Sequence, residues 1–373
     1  MHNHTYGEIF ERNAPRRERP SRSTTRLRTS YNEDLIAPTI DNEHDDGDAH
    51  PSSFPCTNFL HNAGILEDFL FLVGRVGLTN YMNDERNQYA MLTKIFVESF
   101  VFNNAHFGPT VSFKIYERPI TLSLSDFCHV IGITSSGTAK KIQGRPADLL
   151  ELYRGVTNDD DRTAQRGKIR NIQLPAIRYF AYYLATSVLG RENTSNISNY
   201  HLAFLDAALN GRTSYNLGAL IARRLAARGP IYGGIIASRM LAHLGLSVDP
   251  SDALLAPHRL DLAAMKMHQF VTANSCEGNL VYRMLFTDGE ESHIPLPQPA
   301  LFDVRRRPWS RSKVEMDDQL RLLGFYGQGD QEGHEAHAED HTVHYTGAAS
   351  GSYQDREASS SYFGGASSWP RWD

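Results

Sequence analysis

Apolar residues recur every three or four positions through the middle of the chain, which is the spacing of one buried face of an α-helix. Four such stripes follow one another between Ile172 and Leu246, and glycines separate most of them. We predict four consecutive helices here and a fifth over 260–270. The residues of the four stripes are Ile177, Phe180, Ala181, Leu184 and Val188, then Leu202, Leu205 and Leu209, then Leu217, Ile221 and Leu225, and finally Ile236, Met240 and Leu244.

Earlier in the chain the same spacing predicts helices over 65–76 and 84–102. The period then changes to two, because apolar and polar residues alternate on both sides of a Glu-Arg-Pro turn between residues 110 and 124. We predict one β-hairpin there, followed by a helix that Ser125 caps and Gly132 ends.

Both ends of the chain lack periodic apolar patterning. Such segments bury too little apolar surface to offset roughly 1–2 kcal/mol per residue of backbone ordering, so we predict disorder over 1–53 and 287–373. The predicted fold class is mainly α, with a helical body of two packed subdomains, one β-hairpin and long disordered tails. The subdomains are 54–156 and 171–286, and the charged segment 157–170 connects them.

Charge is distributed unevenly along the chain. Residues 1–30 carry seven arginines, whereas residues 31–53 carry seven acidic residues and no basic one. A basic block of this kind binds a polyanion such as RNA, or folds back on the acidic stretch beside it. The connector adds further bases that suit phosphate contact. The candidate nucleic-acid-binding residues are Arg12, Arg16, Arg17, Arg19, Arg22, Arg26, Arg28, Arg162, Arg166, Lys168 and Arg170.

Two other basic clusters also suit phosphate contact, with an ordinary solvated surface as the alternative. One comprises Arg223, Arg224 and Arg228 on a predicted helix, and the other is the triplet 305–307 beside Trp309.

No residue pattern indicates catalysis. Gly233-Gly234 lacks the lysine and the spacing of a phosphate-binding loop, and GxSxG is absent from the sequence. The segment 334–337 is one residue short of the HExxH zinc helix. The histidines within 334–344 would share a helix face, but an isolated helix of that length is marginal in water. We therefore predict a protein that is not an enzyme and has no cofactor, no functional metal site and no small-molecule substrate.

The three cysteines are odd in number and too far apart to form a CxxC element, which suits a reducing compartment. The chain start lacks a signal-peptide pattern, and the longest apolar runs are far shorter than the ~20 residues that cross a bilayer. We predict an intracellular protein of the cytoplasm or nucleus, without a membrane partner.

Two segments resemble a known family. Residues 110–133, TVSFKIYERPITLSLSDFCHVIGI, resemble the strand, turn and helix element of plant retrotransposon first-open-reading-frame proteins of the Athila type. Residues 177–246 are similar to that family's later block, with Gly-Arg after one helix and Gly-Gly before the last. The hairpin and following helix also resemble the plant mobile domain, a transposon-related interaction module.

The Athila resemblance implies a Gag-like or accessory protein of a long-terminal-repeat element, which would associate with itself and package RNA. The chain departs from the usual pattern, because Cys56, Cys128 and Cys276 lie too far apart in the sequence to form a CCHC zinc knuckle. RNA binding would therefore depend on arginines. The alternative resemblance implies a nuclear module that binds a protein partner without nucleic acid. The expected partners are a second copy of the chain and RNA or another polyanion.

Overall fold

Capping residues set the limits of several elements in the computed structural model, which describes residues 49–325 except 84, 106–107, 145, 160–166, 191–194, 228–231, 257 and 287. Ser123 accepts a hydrogen bond from the Asp126 amide at 3.0 Å, so the helix after the hairpin begins two residues earlier than predicted. Gly132 ends that helix with φ of 80°, as the sequence predicted.

Twelve α-helices lie in the described part of the chain. A π-helical turn at Leu184–Val188 follows the seventh of them directly. The helices are α1 (Thr57–Asn62), α2 (Leu66–Arg75), α3 (Thr79–Met82), α4 (Ala90–Glu98), α5 (Leu124–Ile131), α6 (Ala147–Thr157), α7 (Pro175–Tyr183), α8 (Asn199–Asn210), α9 (Leu217–Ala226), α10 (Gly234–His243), α11 (Leu262–Met267) and α12 (Lys313–Leu322).

Within the same residues, nine strands form four small sheets. The strands are β1 (Ser53–Pro55), β2 (Gln88–Tyr89), β3 (Val101–Ala105), β4 (Gly108–Ile115), β5 (Arg118–Ser123), β6 (Leu254–Leu255), β7 (His258–Leu260), β8 (Leu280–Leu285) and β9 (Glu291–Leu296). β1 pairs with β7 in parallel, and β2 pairs with β6 antiparallel. β3, β4 and β5 form an antiparallel meander, and β8 pairs with β9.

The fold is mixed α/β, so the prediction of a mainly α body with one hairpin was wrong. Of the described residues, 44% are helical and 19% are in strands, and this strand content is close to that of an average globular domain. The predicted hairpin is present as β4 and β5, but β3 replaces the end of the predicted helix over 84–102. β8 and β9 alternate buried and less buried residues, and β9 lies where the composition from residue 287 onward resembles that of a tail.

One hydrophobic core joins helices from both sides of the connector 157–170. The Phe69 ring of α2 lies edge-on to the rings of Tyr179 and Tyr183 of α7, at centroid distances of 5.2 and 5.6 Å. The described residues up to Leu323 form one compact unit.

The folded body extends beyond residue 286, where the sequence predicted a disordered tail to begin. Gln173 exchanges two hydrogen bonds of 2.7 and 2.8 Å with the backbone of Arg311, and Trp309 is only 5% exposed. Met316 of α12 is fully buried in the same core. The rest of the two predicted tails, residues 1–48 and 326–373, lies outside the described residues.

Arg178 of α7 is fully buried and ties this helix to β8. Its guanidinium donates to the carbonyl oxygens of Arg283 and Gln269, both at 2.7 Å. It also lies 5.5 and 5.4 Å from the ring centroids of Phe270 and Tyr282. Two carbonyls and two aromatic rings therefore stabilise a cation in the interior, which makes Arg178 a structural residue.

Candidate nucleic-acid interface

Three residues of α2 share the side of that helix that carries the site. Asp68, Phe71 and Arg75 are spaced three and four residues apart, so their side chains lie one above another. Phe71 is half-buried and Arg75 is exposed, and the Arg75 guanidinium lies 5.7 Å from the Phe71 ring centroid.

The end of α8 places a second arginine near this face. Gly211 ends α8 with φ of 68°, and a Cβ atom built there would lie 2.4 Å from a guanidinium nitrogen of Arg75. Glycine at this position thus lets Arg75 lie against the helix end. Arg212 follows, with its guanidinium 3.7 Å from the carboxylate of Asp206, whose side chain is only 2% exposed.

The segment before α12 contributes three more arginines. Arg305 lies 2.5 Å from a carboxylate oxygen of Asp68, and its guanidinium is 4.7 Å from the Phe71 ring centroid. The same phenyl ring therefore contacts Arg75 on α2 and Arg305 from a distant part of the sequence. These contacts join the segment to α2 through one ion pair and one shared aromatic ring.

The other two arginines of this segment differ in how firmly they are held. Arg307 donates to the side-chain oxygen of Asn210 at 2.5 Å and lies 4.4 Å from the Trp309 ring centroid. Arg306 pairs with Asp303 at 3.2 Å, but its side chain is 86% exposed. Arg306 thus has most of its donors available to solvent or to a ligand.

We call this surface the arginine patch, and define it as Phe71 with Arg75, Arg212, Arg305, Arg306 and Arg307. Three carboxylates, Asp68, Asp206 and Asp303, offset part of its charge.

Burial alters the ionisation of two of these carboxylates. It raises the pKa of Asp68 above the ordinary value, and Arg305 offsets only part of that shift. Burial likewise raises the pKa of Asp206, against the opposing effects of Asn210 and Arg212. The arginines remain charged at any physiological pH, so the arginine patch has a net positive charge.

This arrangement can recognise phosphates. A guanidinium presents several N–H donors in a planar fork that matches phosphate oxygens, and an aromatic ring beneath it fixes its orientation. Phe71 and Trp309 supply such rings. Clustered arginines attract a polyanion without reading its sequence, because backbone phosphates demand charge more than exact geometry.

Sequence reasoning found part of this site and missed part. It singled out the triplet 305–307, but not Arg75 or Arg212, which are isolated basic residues in the sequence. The spacing of Asp68, Phe71 and Arg75 on one helix face was the signal available for Arg75. Nothing local indicates Arg212, because α8 and α2 come together only in the tertiary structure.

Most of the candidate residues predicted first lie outside the described residues. They are the seven arginines of residues 1–30, called the N-terminal arm here, together with Arg162 and Arg166. Lys168 donates to the side-chain oxygen of Asn196 at 2.8 Å, and the exposed Arg170 donates to that of Gln269 at 3.5 Å. Their role in nucleic-acid binding stays a prediction.

The bases at 223 and 224 on α9 have structural partners. Arg223 donates to the carbonyl of Ala139 at 2.7 Å, and Arg224 donates to those of Leu189 and Gly190, both at 2.9 Å. Burial lowers the pKa of Arg224. These two residues tie loops to α9, so the ordinary structural role accounts for them without a phosphate ligand.

A surface cleft of about 490 Å³ lies between α1 and α11. Its ionisable groups include Arg259, which pairs with Glu85 at 2.7 Å, and Asp261, which caps α11 through the Ala264 amide at 3.0 Å. Both groups have structural partners, so we do not assign the cleft a reaction.

The described residues lack the features of two other classes of site. They contain no group of three or more His, Cys, Asp or Glu side chains placed to hold a metal ion. In the same part of the chain, no helix combines the length and the apolar character needed to span a bilayer. The histidine-rich segment 334–344 lies outside this part.

Comparison with family models finds that residues 42–217 match the ATHILA ORF-1 family. The match includes α2, α8 and the β3–β5 sheet, and therefore Arg75 and Arg212 of the arginine patch. Comparison with curated proteins and with solved structures finds no match. The class of protein is thus that of a retrotransposon-associated protein. These matched residues are similar to the ATHILA ORF-1 family, which confirms the resemblance seen in residues 110–133.

Proposed function

We propose that this protein is a Gag-like structural protein of its retrotransposon, which binds RNA without sequence preference and associates with itself. The observation that carries the proposal is the arginine patch, to which three segments that are distant in sequence contribute five arginines, two of them in contact with the Phe71 ring. The similarity to the ORF-1 family supports the proposal, because this family is generally structural rather than catalytic.

The free energy of RNA binding would be mainly electrostatic. Each phosphate that an arginine neutralises releases a counterion, so affinity falls steeply as salt rises. The seven arginines of residues 1–30 would strengthen this electrostatic binding if they contact the polyanion rather than the acidic stretch at 31–53. The arginine patch would then orient the RNA on the body, and the arm would extend the contact.

Fluorescence anisotropy with a labelled single-stranded RNA of about 30 nucleotides tests this, at roughly 50 to 300 mM salt. The informative variant is the full chain with Arg75→Gln and Arg306→Gln. These two arginines are exposed and neither pairs with a buried carboxylate, so their loss leaves the fold intact. We expect roughly fivefold to tenfold weaker binding at low salt, and a slope of log affinity against log salt that is smaller by roughly 1.4.

The matched control is Arg259→Gln with Arg321→Gln, which removes the same charge from other exposed positions. We expect a much smaller loss of affinity from it. Replacing the seven arm arginines by Gln measures their share separately. Equal losses in the patch variant and the control, or binding that is insensitive to salt, would contradict the proposal. Wild-type protein that binds no RNA would favour a protein-interaction module without nucleic-acid binding.

A further inference from the structure

Strand β3 lies at the edge of the three-stranded sheet. Among the described strands its one neighbour is β4, and the pairs run from Val101 opposite Ser112 to Ala105 opposite Gly108. The Lys114 amide donates to the Ser99 hydroxyl at 2.8 Å, which shows that even-numbered amides of β4 point toward the β3 side.

Backbone groups alternate in direction along a strand, so residues 101, 103 and 105 face β4 through their N–H and C=O groups. The N–H and C=O groups of Phe102 and Asn104 then point away from β4, toward the open edge. Asn104 is exposed at this edge, while Arg223 of α9 lies 4.8 Å from the Phe102 ring centroid on the inner face. Two residues of β3 therefore present donors and acceptors for another strand.

Proteins usually protect such an edge with charged residues or proline. β5, at the opposite edge of this sheet, begins with Arg118 and Pro119. β3 has the sequence Val-Phe-Asn-Asn-Ala, without a charge or a proline. Val101 is 57% exposed, and residues 103–105 are exposed as well. The absence of protection along a strand of this length suits pairing with another strand.

We propose that β3 pairs antiparallel with β3 of a second copy of this chain, around a twofold axis at Asn103. In this register Phe102 lies opposite the partner's Asn104, and Asn104 lies opposite the partner's Phe102. The two pairs form four backbone hydrogen bonds and join the two sheets into one of six strands. Val101 packs on the partner's Ala105, on the outer face. The strand is self-complementary in this register, which is the requirement for a twofold interface.

The contact is far smaller than a standard interface of about 1,600 Å², so we expect weak dimers with a dissociation constant on the order of 100 μM or above. Several chains held along one RNA would strengthen it through their high effective concentration. The inference rests on the self-association part of the proposed function and is independent of RNA binding.

The register can be tested by charge exchange, because residue 103 faces itself across the axis. Asn103 is exposed, so Asn103→Lys and Asn103→Asp leave the core untouched. In sedimentation equilibrium of nuclease-treated full-length protein, we expect concentration-dependent dimers for the wild type. Each variant alone places like charges opposite one another and weakens dimerisation by about tenfold or more. An equimolar mixture of the two variants places opposite charges there, and dimers return.

The matched control is Thr121→Lys, which adds a charge to the same outer face at the opposite edge strand and should leave dimerisation unchanged. If the wild type associates but neither Asn103 variant changes the constant, another surface mediates self-association. That result overturns the role of β3 and leaves the proposed function standing. If both variants block association and their mixture does not restore it, the register centred on Asn103 is wrong. A wild type that remains monomeric at all concentrations overturns both the inference and the self-association it rests on.

Discussion

Replacing Arg178 by methionine gives the sharpest stability prediction. Methionine has a similar length, so it fills most of the space of the arginine stem without a large cavity. It removes two charge-assisted hydrogen bonds of 2.7 Å to the carbonyls of Arg283 and Gln269, and the contacts with two aromatic rings. The change therefore isolates the contribution of the buried guanidinium.

The magnitude follows from these contacts. A hydrogen bond to a charged group contributes about 1.5–3 kcal/mol net, so the two bonds account for roughly 3–6 kcal/mol. The variant no longer has to bury a cation, which returns part of this. We expect the free energy of unfolding to fall by about 3–5 kcal/mol. For a body of this size that corresponds to a melting temperature lower by roughly 6–20 °C.

Urea and thermal unfolding followed by circular dichroism measure the effect. The control is Arg306→Met, because Arg306 is 86% exposed and its only described partner is Asp303. It should change the free energy of unfolding by at most about 0.5 kcal/mol. A loss below about 1 kcal/mol for Arg178→Met would refute the reasoning, since the two buried carbonyls would then have found other partners.

Three further predictions concern titration, thiol reactivity and packing. Burial lowers the pKa of His268 to about 4 from an ordinary 6.5, so the unfolded chain takes up the proton first and stability is lost as pH falls from about 6.5 to about 4. In urea unfolding at a series of pH values, His268→Gln should reduce this loss of stability, whereas the control His61→Gln, at an exposed position, should not. If His268→Gln and the wild type have the same pH profile of stability, the prediction is wrong. Burial raises the pKa of Cys128 to about 12, whereas Cys276 is exposed. Iodoacetamide at about pH 8 should therefore label Cys276 before Cys128, as measured by peptide mass spectrometry. Equal labelling rates of the two thiols in the native protein would contradict the burial of Cys128. A Cβ atom at Gly218 would lie 2.1 Å from the Cys128 sulfur, so Gly218→Ala should lower the free energy of unfolding in urea by about 1–3 kcal/mol. Adding Cys128→Ala should restore part of this stability, because it removes the clashing sulfur. If the losses of the two substitutions are purely additive, the steric cause is excluded.

Local patterns predicted the elements that local interactions form. The stripes between residues 172 and 246 correspond to α7, α8, α9 and α10, because a helix face repeats within four residues and is visible in the sequence. The β4–β5 hairpin and the glycine end of α5 follow from equally short patterns. The family resemblance was also carried by residues within such segments.

Elements that depend on distant partners were not predicted. β3 is mostly exposed and has no alternating pattern, so it becomes a strand only because β4 pairs with it. β1 and β7 are each three residues long and about 200 residues apart in sequence, and neither has a local signal. The composition of residues 287–325 resembles that of a tail, yet Trp309 and Met316 are buried in the core and so hold this segment against the body.

The sequence by itself determined which segments become helices, where the hairpin turns and to which family the chain is related, since these depend on residues close together in the chain. Tertiary structure alone decided which arginines are structural and which form a surface. Arg178 and Arg224 look no different from Arg306 in sequence, but two are held by backbone carbonyls and the third is exposed. The physical reason is that burial and charge clustering depend on contacts between segments far apart in sequence, and no short-range pattern records those contacts.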